Sequence, residues 1–170
     1  RLFENHVVRE SINLDGFWKF AVDKQNVGKT EKWYETGITG KNFYVPQVWN
    51  TDLELLTYEG ACWYEKEFYF NGGTLMVDFG AVMTYAEVYF DGEFMCDHYG
   101  GFTSFNFIKN QVEKGLHKIT VLVDNSFDEN SIPQTNVDWY HYGGIIRSVN
   151  AQTLKGISIL NNRFNYTLNS

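Results

Sequence analysis

Apolar and polar side chains alternate with a period of two through much of this chain, which strongly constrains its fold. The run from Trp63 to Phe70 alternates between two faces and ends at the glycine-rich turn Asn71-Gly72-Gly73. Successive side chains of a β-strand point to opposite faces, so such a run predicts a strand. The next two runs place their apolar residues on one face each: Leu75, Val77 and Phe79, then Ala86, Val88 and Phe90. Glu87 and Tyr89 are predicted on the opposite face of the second run.

The remaining pattern is also that of short strands and tight turns. Asp91-Gly92 is a strong hairpin signal, because both central positions of a two-residue turn favour positive φ. No stretch shows a sustained 3.6-residue period, so at most one short helical turn is expected, near Gln47 to Leu55 or Lys109 to Glu113. About nine short strands predict an all-β jelly-roll β-sandwich of two antiparallel sheets. Further strands are predicted at Ile12 to Val22 with a break at Asp15-Gly16, Phe105 to Ile108, Lys118 to Asp124, Ile145 to Leu154, and Ile157 to Leu160.

Length and charge limit the possible partners. The 170 residues fit one domain, or one domain plus a linker. A net charge of −7 disfavours binding to nucleic acid and to anionic membranes, and no apolar run approaches the roughly 20 residues that cross a bilayer. Cys62 and Cys96 lack metal-ligand spacing; two reduced thiols are expected, with pairing as in a secreted domain as the alternative. A cytoplasmic location is expected.

Common catalytic and cofactor motifs are absent from the sequence. No glycine-rich loop leads from a strand into a helix, and no serine stands in a nucleophile elbow. None of the four histidines lies at metal-ligand spacing from another, although His98 lies in a loop that could approach a ligand. Nothing in the sequence brings two acids to the roughly 5–10 Å at which paired carboxylates cleave a glycosidic bond. We therefore expect no catalytic residue, no metal site and no cofactor in this chain.

The segment Val137 to Arg147 is the best candidate for a functional site. It places Asp138 beside Trp139 and three further aromatic or imidazole rings, followed by Gly143-Gly144. A flat apolar surface beside an anionic hydrogen-bond acceptor could bind a polyhydroxylated ring. The other interpretation is an aromatic loop that caps a β-sandwich, since aromatic side chains commonly serve as packing area.

Seven short motifs occur in the order of a known family. The chain resembles the N-terminal sugar-binding domain of glycoside hydrolase family 2, the family of β-galactosidases, β-glucuronidases and β-mannosidases. The resemblance covers roughly residues 10–155. The motifs are Leu14 to Phe20, Val45 to Asn50, Tyr58 to Lys66, Phe79 to Val82, Ala86 to Gly92, His98 to Phe105, and Ile132-Pro133 with the segment through Arg147.

The resemblance implies a galactose-binding-domain-like jelly roll at residues 1–160. Residues 161–170 are then a tail or the start of an immunoglobulin-like domain. In the family a (β/α)₈ barrel follows and carries two catalytic glutamates, one of them in an Asn-Glu dipeptide that this chain lacks. A barrel takes about 250 residues, so the isolated chain is expected to be inactive. The parent protein is expected to be a retaining β-glucuronidase or β-galactosidase that forms a homo-oligomer.

The resemblance also assigns roles within the candidate segment. Asp138 matches the aspartate that reaches from the sandwich into the barrel's active site and hydrogen-bonds sugar hydroxyls. Trp139 and Tyr140 either shape the rim of that pocket or pack against the barrel. Gly143-Gly144 permits a tight backbone path, and Arg147 is expected to form a structural salt bridge. A free-standing carbohydrate-binding module is the alternative to a glycosidase domain.

Overall fold

The computed structural model describes residues 10–127 and 140–156. Most of the predicted strand regions extend further than expected, and the region predicted from Ile145 to Leu154 is divided in two. The strands in the described residues are β1 (Ser11–Asn13), β2 (Gly16–Asp23), β3 (Lys41–Val45), β4 (Ala61–Phe70), β5 (Gly73–Phe79), β6 (Val82–Met83), β7 (Tyr85–Phe90), β8 (Glu93–Tyr99), β9 (Phe105–Val112), β10 (Gly115–Asp124), β11 (Gly144–Ile145) and β12 (Val149–Leu154).

Two antiparallel sheets form the body of the domain. The four-stranded sheet has the order β1-β12-β5-β9, and the six-stranded sheet has the order β3-β2-β4-β10-β7-β8. The short strands β6 and β11 pair with each other at one end. The prediction of an all-β sandwich is therefore confirmed.

The core lies between the facing sides of the two sheets. The alternation of β5 and β7 is confirmed, because Leu75, Val77, Phe79, Ala86, Val88 and Phe90 are all at most 1% exposed. Large aromatic side chains fill much of the same core, among them Trp18, Trp49 and Tyr64. Burial of such side chains is worth about 1.5–3 kcal/mol each, which explains why an aromatic-rich chain of this length supports two sheets.

Part of the outer side of the six-stranded sheet is also buried, which the alternation did not predict. Glu87 and Tyr89 point away from the core, as expected, yet they are only 6% and 5% exposed. The cause is the connection between β2 and β3, which crosses this face. It contributes helix α1 (Trp33–Thr36), and Tyr34 stacks on Tyr89 with ring centroids 4.2 Å apart.

Helical turns and strand boundaries show where the sequence interpretation was incomplete. Two 3₁₀ turns, Trp49–Thr51 and Leu53–Leu55, lie within the predicted helical region. The expected limit of one helical turn is wrong, because α1 is a further helical element. The alternative at Lys109 to Glu113 is wrong, since β9 continues to Val112 and pairs with β5. The predicted strand from Ile145 is interrupted before β12 begins. The prediction for Ile157 to Leu160 lies outside the described residues.

The tight hairpin at Asp91-Gly92 is confirmed. Both residues have positive φ, 50° and 85°, and they join the antiparallel strands β7 and β8. Asn71 and Gly72 connect β4 to β5, but these two strands belong to different sheets, so the connection is not a hairpin. Within the described residues, no helix is long and apolar enough to span a membrane.

Candidate functional site

Several strand ends meet at one end of the sandwich, which we call the loop end. Asp124 at the end of β10 lies opposite both Ala61 of β4 and Tyr85 of β7, and Tyr85 lies opposite Tyr99 of β8. The backbone segments 80–84, 100–104, 125–127 and 140–148 lie at this end. They bind one another directly, since the Gly100 N–H donates to the Thr84 carbonyl and the Ile146 N–H donates to the Ala81 carbonyl.

The two predicted substrate-binding residues, Asp138 and Trp139, lie outside the described residues. The structure describes the chain before them through Phe127 and after them from Tyr140. Residues 140–147, which we call the return segment, lead from this gap to β12. The return segment and Asn125 are the described parts of the chain that follow and precede these two residues in the sequence.

The glycine pair of the return segment passes close to the motif Val45 to Asn50. A Cβ atom on Gly143 would lie 1.9 Å from the indole of Trp49. Gly144 has φ +134°, and its Cβ would lie 2.6 Å from the carbonyl oxygen of Gln47. The predicted tight backbone path is confirmed at both positions, because no other residue type fits there without displacement.

Backbone and side-chain hydrogen bonds fix this close approach. The Trp49 N–H donates to the Gly143 carbonyl at 2.9 Å, and the Gln47 N–H donates to the Ile145 carbonyl at 2.9 Å. The buried side chain of Asn50 accepts from the Gly143 N–H at 2.9 Å. The same amide donates to the carbonyl of Leu55 at 3.1 Å, so one side chain joins the return segment to the second 3₁₀ turn.

Asn125 plays the corresponding part on the other side of the gap. It is fully buried. Its carboxamide accepts from the Gly60 N–H at 2.9 Å and donates to the His141 carbonyl at 3.1 Å. A buried backbone group without a partner costs about 1–3 kcal/mol, so this side chain stabilises two irregular segments at once.

His141 is the third buried polar residue at the loop end. It is 8% exposed, and its Nε2 lies 2.8 Å from Thr84 Oγ1. Its ring meets that of Phe127 edge-on, with centroids 3.8 Å apart. Burial lowers the pKa of His141, and the geometry makes this histidine a packing and hydrogen-bonding residue.

Two tyrosines of the return segment remain accessible. Tyr140 and Tyr142 are 44% and 46% exposed, and their ring centroids lie 5.1 Å apart. The Tyr140 hydroxyl donates to the carbonyl of Leu56. Tyr140 therefore packs against the preceding loop and presents the rest of its ring outward.

Other side chains considered from the sequence have local partners. Arg147 donates to the Phe102 carbonyl at 3.2 Å, and the described residues give it no ion pair, so its predicted salt bridge is not found there. His98 Nε2 lies 2.9 Å from Thr103 Oγ1, and its ring stacks on Phe105. Cys62 and Cys96 are free thiols, and burial raises the pKa of Cys96 to about 11.

The described part of the chain brings no three potential metal-ligating side chains together. The residues that organise the site, Asn50, Asn125 and Thr84, were missed as site residues from the sequence. Asn50 falls inside a family motif, which was the available signal. Nothing local distinguishes Asn125, because its partners Gly60 and His141 are 65 and 16 residues away.

The family model "Glycosyl hydrolases family 2, sugar binding domain" matches residues 12–154. The chain belongs to this family. The predicted resemblance is thereby confirmed, and the described return segment and β12 fall within the matched range. The domain boundary at residue 160 stays a prediction.

Curated relatives of this sugar-binding domain are glycosidases. The β-glucuronidase of Paenibacillus borealis is 25% identical over 182 residues, which cover 90% of this chain and 30% of that protein. The β-galactosidase of Thermoanaerobacterium thermosulfurigenes is 26% identical, with 91% of this chain and 23% of that protein covered.

Solved structures of the family share the fold. A β-glucuronidase from an uncultured Clostridium species matches with a TM-score of 0.79 and 28% identity, covering 87% of this chain and 29% of that one. A family 2 β-galacturonidase from Eisenbergiella tayi matches with a TM-score of 0.74 and 28% identity, covering 91% and 26%. The chain spans less than a third of the length of each of these four relatives.

Proposed function

We propose that this sugar-binding domain is the non-catalytic sandwich of a retaining glycosidase of the β-glucuronidase or β-galactosidase type. In this proposal it supports a barrel domain and supplies Asp138 to the substrate pocket. The relatives named above support the enzyme class, and their greater length leaves room for a barrel of about 250 residues. The whole protein would then bind a β-glycoside shared between the two domains.

The observation that supports the proposal is the buried hydrogen bonding of the described backbone that precedes and follows the Asp138 segment in the sequence. Asn125 binds Gly60 and His141 through its buried amide, and Asn50 binds Gly143. Functional groups act best when surrounding residues hold them in place. Irregular backbone that depends on single buried amides tolerates few substitutions. A role in positioning a substrate contact would account for that restriction.

A carboxylate suits the proposed role of Asp138. An ionised carboxylate accepts hydrogen bonds from two neighbouring hydroxyls, and such charge-assisted bonds are about twice as strong as neutral ones. Trp139 would add an apolar surface beside it. Both residues are proposed as substrate contacts, and neither is proposed as a catalytic acid, base or nucleophile.

Hydrolysis assays on the 170-residue chain and on the full-length protein test whether the chain is non-catalytic. The 170-residue chain should not hydrolyse nitrophenyl β-D-glucuronide or nitrophenyl β-D-galactoside, whereas the full-length protein should hydrolyse at least one of them. Turnover by a purified preparation of the chain alone would overturn the non-catalytic role.

Titration calorimetry tests the free-standing carbohydrate-binding module as the alternative. A pocket shared between two domains loses much of its wall when they are separated, so the chain alone should bind simple glycosides weakly. Micromolar affinity for a glycoside would favour the binding module. The homo-oligomeric state of the full-length protein and the cytoplasmic location remain predictions.

A further inference from the structure

An outward-facing row of side chains crosses three neighbouring strands at the loop end. Asp124 of β10 lies opposite Tyr85 of β7, which lies opposite Tyr99 of β8. Directly opposed residues on one face have Cβ atoms about 4.5–5.5 Å apart, and the two tyrosine rings lie with centroids 5.4 Å apart. With Ser126 these side chains line a shallow groove of about 250 Å³, which we call the tyrosine groove.

Hydrogen bonds behind the tyrosine groove hold its walls. The Tyr85 hydroxyl donates to Glu87 Oε1 at 2.8 Å. Glu87 also forms an ion pair with Lys29 at 2.7 Å and accepts from the Tyr89 hydroxyl at 2.7 Å. On the other wall, Asp124 Oδ1 accepts from the Ser126 N–H at 2.7 Å. A preformed surface loses little side-chain freedom when a ligand binds.

The chemistry of the tyrosine groove suits one sugar ring. Tyr99 is 42% exposed and offers an apolar ring face beside a polar hydroxyl. Asp124 offers a carboxylate, which accepts strong hydrogen bonds from hydroxyl groups. The groove is smaller than the 300–1,000 Å³ or so typical of pockets for drug-sized ligands, which matches a single pyranose ring better than a larger molecule.

The charge of the groove disfavours anionic sugars. Among the described residues, the side chains that line the groove include no basic group, and Asp124 is acidic. A second carboxylate at about 4–6 Å would be repelled, because like charges at that separation near a protein surface interact by more than the thermal energy. The groove therefore favours a neutral sugar over a uronic acid.

We propose that the tyrosine groove binds one neutral pyranose ring, with Tyr99 as the stacking surface and Asp124 as the hydroxyl acceptor. The inference rests on the proposed function, since it takes the loop end as the end that meets a glycoside. It adds a site on described residues that does not involve Asp138. It also predicts a preference for neutral sugars, independent of which sugar the full-length enzyme cleaves.

Nuclear magnetic resonance titration of the 170-residue chain tests this site. The neutral probes are methyl β-D-galactopyranoside and methyl β-D-glucopyranoside, and the charged probe is methyl β-D-galactopyranosiduronate. At least one neutral probe should shift the amide signals of Gly100 and Ser126 saturably, with a millimolar dissociation constant. The uronate should bind at least about fivefold more weakly.

Three variants separate the groove from other sites. Tyr99→Ala should weaken binding of the neutral probe about tenfold. Asp124→Asn should weaken that binding several-fold and remove the discrimination against the uronate. Tyr69→Ala is the matched control, because Tyr69 is 53% exposed on β4 and lies near the opposite end. The Tyr69→Ala variant should bind the neutral probe with the affinity of the unmodified chain.

The outcome for Asp138→Ala distinguishes this inference from the proposed function. Binding in the groove should survive that change. If Asp138→Ala abolishes the shifts while Tyr99→Ala leaves them unchanged, the sugar binds at the Asp138 segment. That result would overturn the binding site in the groove and leave the proposed function standing. Absence of saturable shifts with both neutral probes would also overturn it, and would leave the role of Asp138 in the full-length protein to its own kinetic test.

Discussion

The two ends of this sandwich are held together by different kinds of contact. At the end that carries Asp91-Gly92, which we call the turn end, Asp91 accepts from the Lys118 N–H at 2.8 Å and lies 2.7 Å from His117 Nδ1. These partners belong to paired strands and short turns. At the loop end, Asn50 binds Gly143 across 93 residues of sequence, and Asn125 binds Gly60 across 65.

The difference shows what each kind of contact achieves. A two-residue turn needs only local chemistry, and the regular ladder of β7 and β8 follows from it. Irregular backbone has no continuous ladder, so buried side chains satisfy the N–H and C=O groups that its few backbone–backbone hydrogen bonds leave without a partner. The loop end uses amides for this purpose, and in the proposed function that rigid support is what allows the neighbouring segment to present a substrate contact.

The largest effect is expected from Gly143→Ala. The added methyl group would lie 1.9 Å from the Trp49 indole, and overpacking of a buried site costs about 1–3 kcal/mol or more. Urea denaturation should show a loss near the top of that range. The control is Gly115→Ala at the turn end, where the new Cβ has no atom within 4 Å; equal losses for both variants would contradict the contrast between the ends.

A smaller loss is expected from Asn125→Ala. The change leaves the Gly60 N–H and the His141 carbonyl without their partner, which should cost about 2–3 kcal/mol in the free energy of unfolding. Asn42→Ala is the control, because Asn42 is exposed on β3. Hydrogen exchange should also accelerate at the Gly60 amide in the Asn125 variant. A change below about 0.5 kcal/mol, which is ordinary for surface positions, would show that Asn125 does not hold the loop end.

The smallest effect is a difference in pH dependence between two histidines. Burial lowers the pKa of His141 from its ordinary value of 6.5. Partial burial alone would lower the pKa of His117 too, but its hydrogen bonds to Asp91 and to the Glu113 carbonyl outweigh burial, and its pKa is raised. Titration of the imidazole C–H signals should place His117 above 6.5 and His141 below it.

The two shifts have opposite consequences for stability. The His117 contribution is fully present below pH 6.5 and is lost as the pH rises through the raised folded pKa. The His141 contribution is present above pH 6.5 and is lost as the pH falls through the lowered folded pKa. His117→Gln should therefore cost more stability at pH 5.5 than at pH 8; the reverse order would contradict the assigned ion pair with Asp91.

The same contrast explains how far the sequence predicts this molecule. The alternation of β5 and β7 and the Asp91-Gly92 hairpin depend on neighbouring residues, and both predictions are confirmed. The burial of Glu87 and Tyr89 depends on residues 24–40, which are distant in sequence, so alternation alone could not predict it. Asn125 was missed for the same reason, because its function depends on Gly60 and His141. Asp138 was identified through a family motif, and its role stays a prediction.

Steady-state kinetics of Asp138→Ala in the full-length protein tests the central proposal most directly. Hydrogen bonds to a charged group contribute about 1.5–3 kcal/mol, so kcat/KM for the preferred nitrophenyl glycoside should fall about tenfold or more. Glu113→Ala is the control, since Glu113 is an exposed carboxylate at the turn end, and it should leave kcat/KM unchanged. An Asp138→Ala enzyme that is folded and has the kcat/KM of the unmodified protein would contradict the proposed substrate contact.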